Sequence, residues 1–258
     1  KVFETGAGER VTALNSIDLD VEDGEFLVII GTNGSGKTTL MNAIAGSEAI
    51  DSGSIVLDGR EISSDAEYRR TAMIGRVFQD PAKGTLPDLT VLENLALAAG
   101  KSQPRGFRLA IDKTFRDECH EKVSALGIGL EARMLQRIST LSGGQRQILS
   151  LLMATWHRPS LLLLDEHTAA LDPKSADVVL KMTQNIISKM QISAIMVTHS
   201  MQQAARMGDR LLVMHRGSIV RDISGTEKRR LRAHELIEEF EELRRSDLID
   251  EAVSALLR

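Results

Sequence analysis

A glycine-rich loop that follows an apolar run constrains the fold of this chain more than any other feature. Residues Gly31–Thr38 read GTNGSGKT and match the phosphate-binding pattern GxxxxGK followed by Ser or Thr. The preceding Phe26–Ile30 is apolar without alternation, as in a strand buried on both faces, and Thr39–Ala45 is typical of a helix. A strand, loop and helix in this order predict an α/β fold with a mainly parallel sheet.

The residue types in the loop point to nucleotide phosphates as the ligand. Gly34 and Gly36 allow a tight turn, so that backbone N–H groups and the helix N-terminus face the phosphates. Lys37 can reach the β- and γ-phosphates, and the Thr38 hydroxyl can ligate Mg²⁺. The predicted nucleotide-binding residues of the loop are Gly31, Asn33, Gly34, Ser35, Gly36, Lys37, Thr38 and Thr39.

A second motif places two carboxylates where a ligand of such a sheet lies. Four leucines, Leu161–Leu164, predict a buried strand, and Asp165 and Glu166 follow directly. In open α/β sheets, ligands bind at the carboxyl ends of the strands. We therefore expect Asp165 to hold Mg²⁺ and Glu166 to polarise an attacking water.

Other segments predict further strands and turns of the core. Val11–Val21 alternates apolar and polar residues, which predicts a half-buried strand of an antiparallel sheet. Gly53–Ile62 predicts a hairpin that turns at Asp58 and Gly59. Three further β elements are predicted: strands at Met73–Phe78 and Ala194–Val197, and a last hairpin around His215–Gly217.

The middle and the end of the chain are predicted to be helical. Leu89–Ala99 has helical spacing with Thr90 as its N-cap, Gly100–Gly106 is a polar loop, and Ile111–Leu126 is a charged amphipathic helix. The predicted organisation is a core at 1–86 and 159–225 with an antiparallel β subdomain, an inserted helical lobe at 87–158, and a helical extension at 226–258.

Composition narrows the classes of function. The net charge of −4 argues against a nucleic-acid coat, which normally carries a basic surface. The longest apolar runs are too short to cross a bilayer, and Lys1–Arg10 lacks the apolar part of a signal peptide. The single cysteine, Cys119, cannot form an internal disulfide, and with His120 it offers too few ligands for a metal. A cytoplasmic protein is expected.

A third motif gives the chain a family resemblance. Leu141–Gln145 reads LSGGQ, and together with the two motifs above it resembles the nucleotide-binding subunit of an ABC transporter, a P-loop ATPase with a RecA-like core, over Phe3–Ile223. The resemblance implies that two copies form a homodimer with ATP between them. It also implies that the signature residues of one copy contact the γ-phosphate held by the other. Those residues are Ser142, Gly143, Gly144 and Gln145.

The same resemblance assigns further residues. Gln79, in VFQDP, corresponds to the glutamine that touches Mg²⁺ and the attacking water, and His199, in VTHS, to the histidine that contacts the γ-phosphate. Asp172 ends a loop expected to cross the dimer interface, and Phe3 falls near the aromatic residue that stacks on adenine. The implied catalytic residues are Glu166, His199 and Gln79, and the implied Mg²⁺ ligands are Thr38, Gln79 and Asp165.

The resemblance also implies partners. An ATPase of this kind works on the inner face of the cell membrane through separate permease subunits, and an importer adds an extracytoplasmic substrate-binding protein. The segments DEHTAALDP, with His167 where relatives have proline, and VFQDPAKGT resemble bacterial importers of aromatic amino acids such as tryptophan or tyrosine. Three alternatives stay open: an exporter or cell-division ATPase of the same family, a soluble ABC ATPase without a transport role, and a P-loop kinase.

Overall fold

The computed structural model describes residues 1–4, 6, 8, 10–100 and 111–242, and its centre is a six-stranded sheet. The strands of this sheet are β3 (Phe26–Gly31), β6 (Ile74–Val77), β7 (Leu161–Asp165), β8 (Ser193–Val197), β9 (Arg210–His215) and β10 (Ser218–Ile223). Their order is β10-β9-β3-β8-β7-β6, and every neighbouring pair is parallel except β10 with β9. The expected α/β fold with a mainly parallel sheet is confirmed.

The sheet is covered on both faces, which explains why its central strands are apolar without alternation. Along β3, Phe26, Val28 and Ile30 face one apolar cluster, whereas Leu27 and Ile29 face the other. All five side chains are buried. A strand packed on both faces has no solvent side on which polar residues could alternate.

Nine helices are described around the sheet. They are α1 (Lys37–Ala45), α2 (Glu67–Arg70), α3 (Val91–Ala99), α4 (Lys113–Ser124), α5 (Gly143–Ala154), α6 (Pro173–Met190), α7 (Met201–Arg206), α8 (Gly225–Arg230) and α9 (233–242). Helix α1 lies on one face of the sheet, and α6, α7 and α9 supply residues to the other. Within the described ranges, no helix is long and apolar enough to span a membrane.

Helices α3, α4 and α5 share an apolar cluster of their own. Its buried members include Leu95 of α3, Cys119 of α4 and Leu149 of α5. Helix α3 begins as expected, with two reciprocal hydrogen bonds. The Thr90 hydroxyl accepts a hydrogen bond from the Glu93 backbone N–H, and the Glu93 carboxylate accepts one from the Thr90 backbone N–H. Residues 101–106 of the expected loop lie outside the described residues.

The antiparallel part is smaller than the sequence predicts. Outside the six-stranded sheet, it consists of two two-stranded hairpins in the described residues, β1 (Val2–Glu4) with β2 (Arg10–Thr12), and β4 (Val56–Leu57) with β5 (Arg60–Glu61). The second hairpin turns at Asp58 and Gly59, as predicted. The prediction of a strand over Val11–Val21 is wrong, because strand structure ends at Thr12.

Beyond Thr12 the alternation reflects packing and not pairing. Leu14 is buried, and Ile17, Leu19 and Val21 pack against the cluster on the α1 face of the sheet, although the segment has no strand structure. Helices α8 and α9 fall in the segment predicted to be helical, and residues 243–258 of that segment lie outside the described residues.

Candidate active site

The predicted site residues come together because four parallel strands end at the same edge of the sheet. Strand β3 ends at Gly31 and continues into the glycine-rich loop, and β7 ends at Asp165. Strand β8 ends two residues before His199, and β6 ends two residues before Gln79. The loop, both carboxylates, the histidine and the glutamine therefore lie at the carboxyl edge, where α/β proteins bind ligands.

Lys37 is the buried cation of this edge. Its ammonium group donates to the carbonyl oxygens of Gly31 and Thr32, both at 2.9 Å, and to the Ser35 hydroxyl at 3.2 Å. Burial lowers the pKa of Lys37, and the nearby Glu166 and Asp165 oppose that shift. The loop thus holds a positive charge at its centre, within electrostatic range of the two carboxylates at the end of β7.

The segment after the N-terminal hairpin lies against the loop. The Gly217 N–H donates to the Ser35 carbonyl at 3.1 Å, and the Asn15 N–H donates to the Gly217 carbonyl at 2.8 Å. Ala13, two residues earlier, donates its N–H to the Lys1 carbonyl at 2.9 Å. These contacts connect the loop to the hairpin that carries Phe3, which is half-buried with the Lys1 ammonium 5.0 Å from its ring centroid.

Glu166 and His199 form the shortest contact among the predicted catalytic side chains. The imidazole Nε2 of His199 lies 2.6 Å from Glu166 Oε1. The histidine is about half exposed and the carboxylate is largely buried, so the pair faces the open side of the edge. A carboxylate held by an imidazole is suited to accept a proton from a water molecule in front of it.

The two segments that carry Glu166 and His199 are joined by hydrogen bonds that the sequence does not predict. Gln203, on α7, donates to the Thr168 hydroxyl at 3.1 Å and accepts from the Thr198 hydroxyl at 2.8 Å. Thr168 follows Glu166 by two residues, and Thr198 precedes His199. Gln203 was missed because its role depends on two loops that meet only in the folded chain.

Asp165 has a cationic neighbour that sequence reasoning also missed. Arg76, on β6, lies 3.5 Å from Asp165 Oδ2 and donates to Asn42 Oδ1 of α1 at 2.7 Å. Strand alternation puts Arg76 and Asp165 on the same face of the sheet, the face covered by α1. An arginine inside an otherwise apolar strand is the one signal that could have directed attention to it.

The signature turn has its own place, at the start of α5. The Ser142 hydroxyl accepts from the Gln145 N–H, and the Gln145 side chain accepts from the Ser142 N–H, both at 3.2 Å. A Cβ at Gly144 would lie 3.1 Å from Ser175 Cβ, so glycine permits α5 and α6 to approach closely here. The turn therefore lies against the beginning of α6, whereas the glycine-rich loop lies against Ala13 and Gly217.

Asp172 and Gln79 remain accessible to a partner. Asp172 caps α6 by accepting from the Ser175 N–H at 3.1 Å, and hydrogen bonds from Ser175 lower the pKa of Asp172. Its side chain and that of Gln79 are exposed. Both positions are therefore open to ligands that the single chain does not supply.

The donors at this edge fit a magnesium ion that arrives with a nucleotide. The Thr38 and Gln79 side chains are exposed and the Asp165 carboxylate is partly exposed, which gives oxygen donors of the type that Mg²⁺ prefers. Within the described ranges, no group of three or more His, Cys, Asp or Glu residues could hold a metal. One carboxylate with neutral oxygens suits a cation whose remaining ligands are phosphate oxygens and water.

Comparison with known proteins adds independent information. A family model described as ABC transporter matches residues 14–169. A tyrosine transport ATP-binding protein of Clostridioides difficile is 44% identical over 244 residues, which cover 93% of this chain and 96% of the relative. A spermidine/putrescine import ATP-binding protein, PotA of Thermotoga maritima, is 36% identical over 80% of this chain. The chain spans about half the length of that relative, 53%.

Solved structures match the fold as well. A dimeric ATP-binding cassette in a post-hydrolysis state, bound to ADP and Pi, superposes with a TM-score of 0.74 at 26% identity. The match covers 87% of this chain and 95% of that one. An ATP-binding cassette in its ADP conformation matches with a TM-score of 0.73 at 26% identity, over 88% of this chain and 89% of that one.

Proposed function

Since this chain belongs to the ABC transporter family, we propose that two copies of it bind ATP between them and hydrolyse it to drive transport through separate permease subunits. The chain is an ATP-binding subunit with the ATPase activity of that family. The observation that carries the proposal is the convergence at one sheet edge of the Lys37 loop with the Glu166–His199 pair.

Each residue of the edge then has a part in binding the nucleotide. Lys37 and the loop N–H groups hold the β- and γ-phosphates of ATP, and Phe3 stacks on adenine. Thr38, Gln79 and Asp165 hold Mg²⁺, which neutralises charge on the β- and γ-phosphates when it is bound. Ser142, Gly143, Gly144 and Gln145 of the second copy face the γ-phosphate, with the N-terminus of α5 directed at it. Asp172 lies at the interface between the copies.

The proposed hydrolysis uses Glu166 as the proton acceptor. The water oxygen bonds to the γ-phosphorus while the bond from that phosphorus to the bridging oxygen breaks, which gives ADP and phosphate. The water proton passes to Glu166, whose Oε1 lies 2.6 Å from His199 Nε2, and Gln79 positions the water. Opening of the two copies then releases the products.

We propose import of an amino acid or a similar small solute as the biological role. The support is the 44% identity, over nearly the whole of both chains, to a tyrosine transport ATP-binding protein. An extracytoplasmic substrate-binding protein would deliver the solute, and this subunit would sit on the inner face of the membrane through the permease. A nucleic acid is not expected as a partner of a chain with a net charge of −4.

The test of this function is Glu166→Gln in the isolated protein. The amide keeps the shape of the side chain but does not accept the proton, so kcat for ATP hydrolysis should fall at least about 100-fold. The dissociation constant for ATP should not rise by more than about twofold, because Glu166 does not hold the phosphates. Steady-state phosphate release and titration with a fluorescent ATP analogue measure the two quantities.

A matched carboxylate change provides the control. Glu118, on the surface of α4, pairs with Lys122 at 3.4 Å and lies outside the site. We expect Glu118→Gln to keep full kcat. Full turnover in Glu166→Gln would remove Glu166 from the proposed chemistry.

A further inference from the structure

Gln147 connects the helix of the signature turn to the segment that carries Gln79. It lies on α5, five residues after Ser142, and is only 1% exposed. Its side-chain Nε2 donates to the carbonyl oxygen of Phe78 at 3.0 Å. Phe78 directly precedes Gln79 in the chain. One side chain of the helical part thus holds the peptide next to a predicted catalytic residue of the core.

Phe78 is held from the core as well. The guanidinium carbon of Arg76 lies 4.7 Å from the centroid of the Phe78 ring, which is the geometry of a cation–π contact. Arg76 in turn contacts Asn42 of α1 and the Asp165 carboxylate. The core therefore holds the ring of Phe78, and α5 holds its backbone.

Stability alone does not account for a glutamine at this position. Gln147 makes one hydrogen bond through Nε2, whereas its Oε1 is buried without a hydrogen-bond partner among the residues described. A buried acceptor without a partner offsets what the other bond gains, so this glutamine contributes little net stability. The bond to Phe78 is the feature that only the glutamine supplies.

We propose that Gln147 is a positioning residue that couples the signature helix to Gln79 by holding the Phe78 peptide. When α5 moves as the second copy closes on the nucleotide, this bond carries the start of the Gln79 loop with it. The inference rests on the proposed role of Gln79 toward the attacking water. The hydrogen bond from Gln147 to Phe78 is the route by which a movement of α5 changes the position of Gln79.

The test is Gln147→Met, which keeps the length of the side chain and removes both the donor and the unpartnered acceptor. We expect kcat for ATP hydrolysis to fall about tenfold and the dissociation constant for ATP to stay within about twofold. The midpoint of thermal unfolding should change little, because loss of the unpartnered acceptor offsets loss of the bond to Phe78. Ser150→Ala is the control, because the Ser150 hydroxyl, one turn later, bonds to the Arg146 carbonyl of its own helix at 3.0 Å. This control should keep full kcat.

A double-mutant cycle separates a coupling role from a general packing role. If Gln147 acts through Gln79, the kcat of Gln79→Ala/Gln147→Met should equal that of Gln79→Ala alone. Multiplied losses in the double variant would contradict the coupling.

Two further outcomes test the role of Gln147 separately from the role of Gln79. Full kcat in Gln147→Met beside a lowered kcat in Gln79→Ala would overturn the inference and leave the role of Gln79 intact. Unchanged kcat in Gln79→Ala would overturn the role of Gln79 and the inference with it.

Discussion

At the scale of single residues, Glu166 combines the proposed chemistry with a backbone conformation that most residues avoid. Its φ is +44°, in the left-handed region, which costs on the order of 1–3 kcal/mol for a residue other than glycine. Its N–H donates to the Val197 carbonyl at 3.0 Å, and its carboxylate Oε1 lies 2.6 Å from His199 Nε2. These contacts hold the strained residue with its carboxylate at the open edge, so little rearrangement is needed when a substrate binds.

His167, the residue after Glu166, should make the stability of the fold depend on pH. His167 is buried, and burial lowers its pKa to about 4 from the usual value of 6.5. Its Nε2–H donates to the Thr183 hydroxyl at 3.1 Å, because that hydroxyl already donates to the Val179 carbonyl. In the unfolded chain the His167 imidazole therefore binds a second proton below about pH 6.5. In the folded chain it binds that proton only near pH 4. The stability from neutral His167 is fully present above pH 6.5 and is lost as the pH falls toward 4.

We expect this single group to lower the free energy of unfolding by about 2 kcal/mol between pH 7 and pH 5. Urea denaturation at both pH values measures the difference. In His167→Leu that part of the pH dependence should disappear, whereas His120→Ala, at an exposed position on α4, should keep it. An identical pH dependence in His167→Leu and the unmodified chain would refute the assignment.

At the scale of elements, the connection from β3 to α1 depends on how closely its loop packs. Gly36 has a φ of +97°, and a Cβ there would lie 2.2 Å from the Ala13 carbonyl oxygen. Gly34 has a φ of +75°, but a Cβ there would meet nothing within 4 Å. The two glycines therefore differ in packing although both have left-handed backbones.

We expect Gly36→Ala to weaken ATP binding at least about tenfold, because the loop must move away from Ala13 to admit the methyl group. Gly34→Ala carries only the backbone penalty, on the order of 1 kcal/mol, and should be the milder change. Titration with a fluorescent ATP analogue, with thermal unfolding as a check on the fold, compares the two. Equal affinities in the two variants would contradict this description of the loop.

Elements with strong local signals could be predicted from the sequence, and those that depend on pairing could not. The apolar runs at Phe26–Ile30 and Leu161–Leu164 and the capped start of α3 at Thr90 are found where expected. The segment after Thr12 alternates like a strand because its apolar residues pack on the core, yet it has no partner strand. An extended chain that lies on a core buries every second residue whether or not it pairs with a strand.

The residues of the site also differ in whether they could be predicted from the sequence. The Lys37 loop and the carboxylates of β7 could be predicted because each motif is contiguous in sequence and follows a strand. Arg76, Gln147 and Gln203 could not be, because each acts on a residue far away in the chain. Arg76 is unusual within an apolar strand, but neither it nor the two glutamines reveals its partner until the chain is folded.

At the scale of the whole molecule, the two predicted parts of the nucleotide site have different surroundings in one chain. The Lys37 loop lies against Ala13 and Gly217, whereas the signature turn at Ser142 lies against the beginning of α6. These separate surroundings support the proposal that a site using both parts forms between two copies. We propose that ATP binds at this interface between two copies, with Ser142 of one copy facing the phosphates held by the other.

The most direct test is the mass in solution of Glu166→Gln, measured by light scattering with and without MgATP. We expect a single-chain mass without nucleotide and twice that mass with MgATP, because turnover is blocked and the closed pair accumulates. Adding Ser142→Phe should abolish the increase while the variant still binds ATP through its own Lys37 loop. A single-chain mass for ATP-bound Glu166→Gln, or an equal increase with Ser142→Phe, would contradict a site shared between two copies.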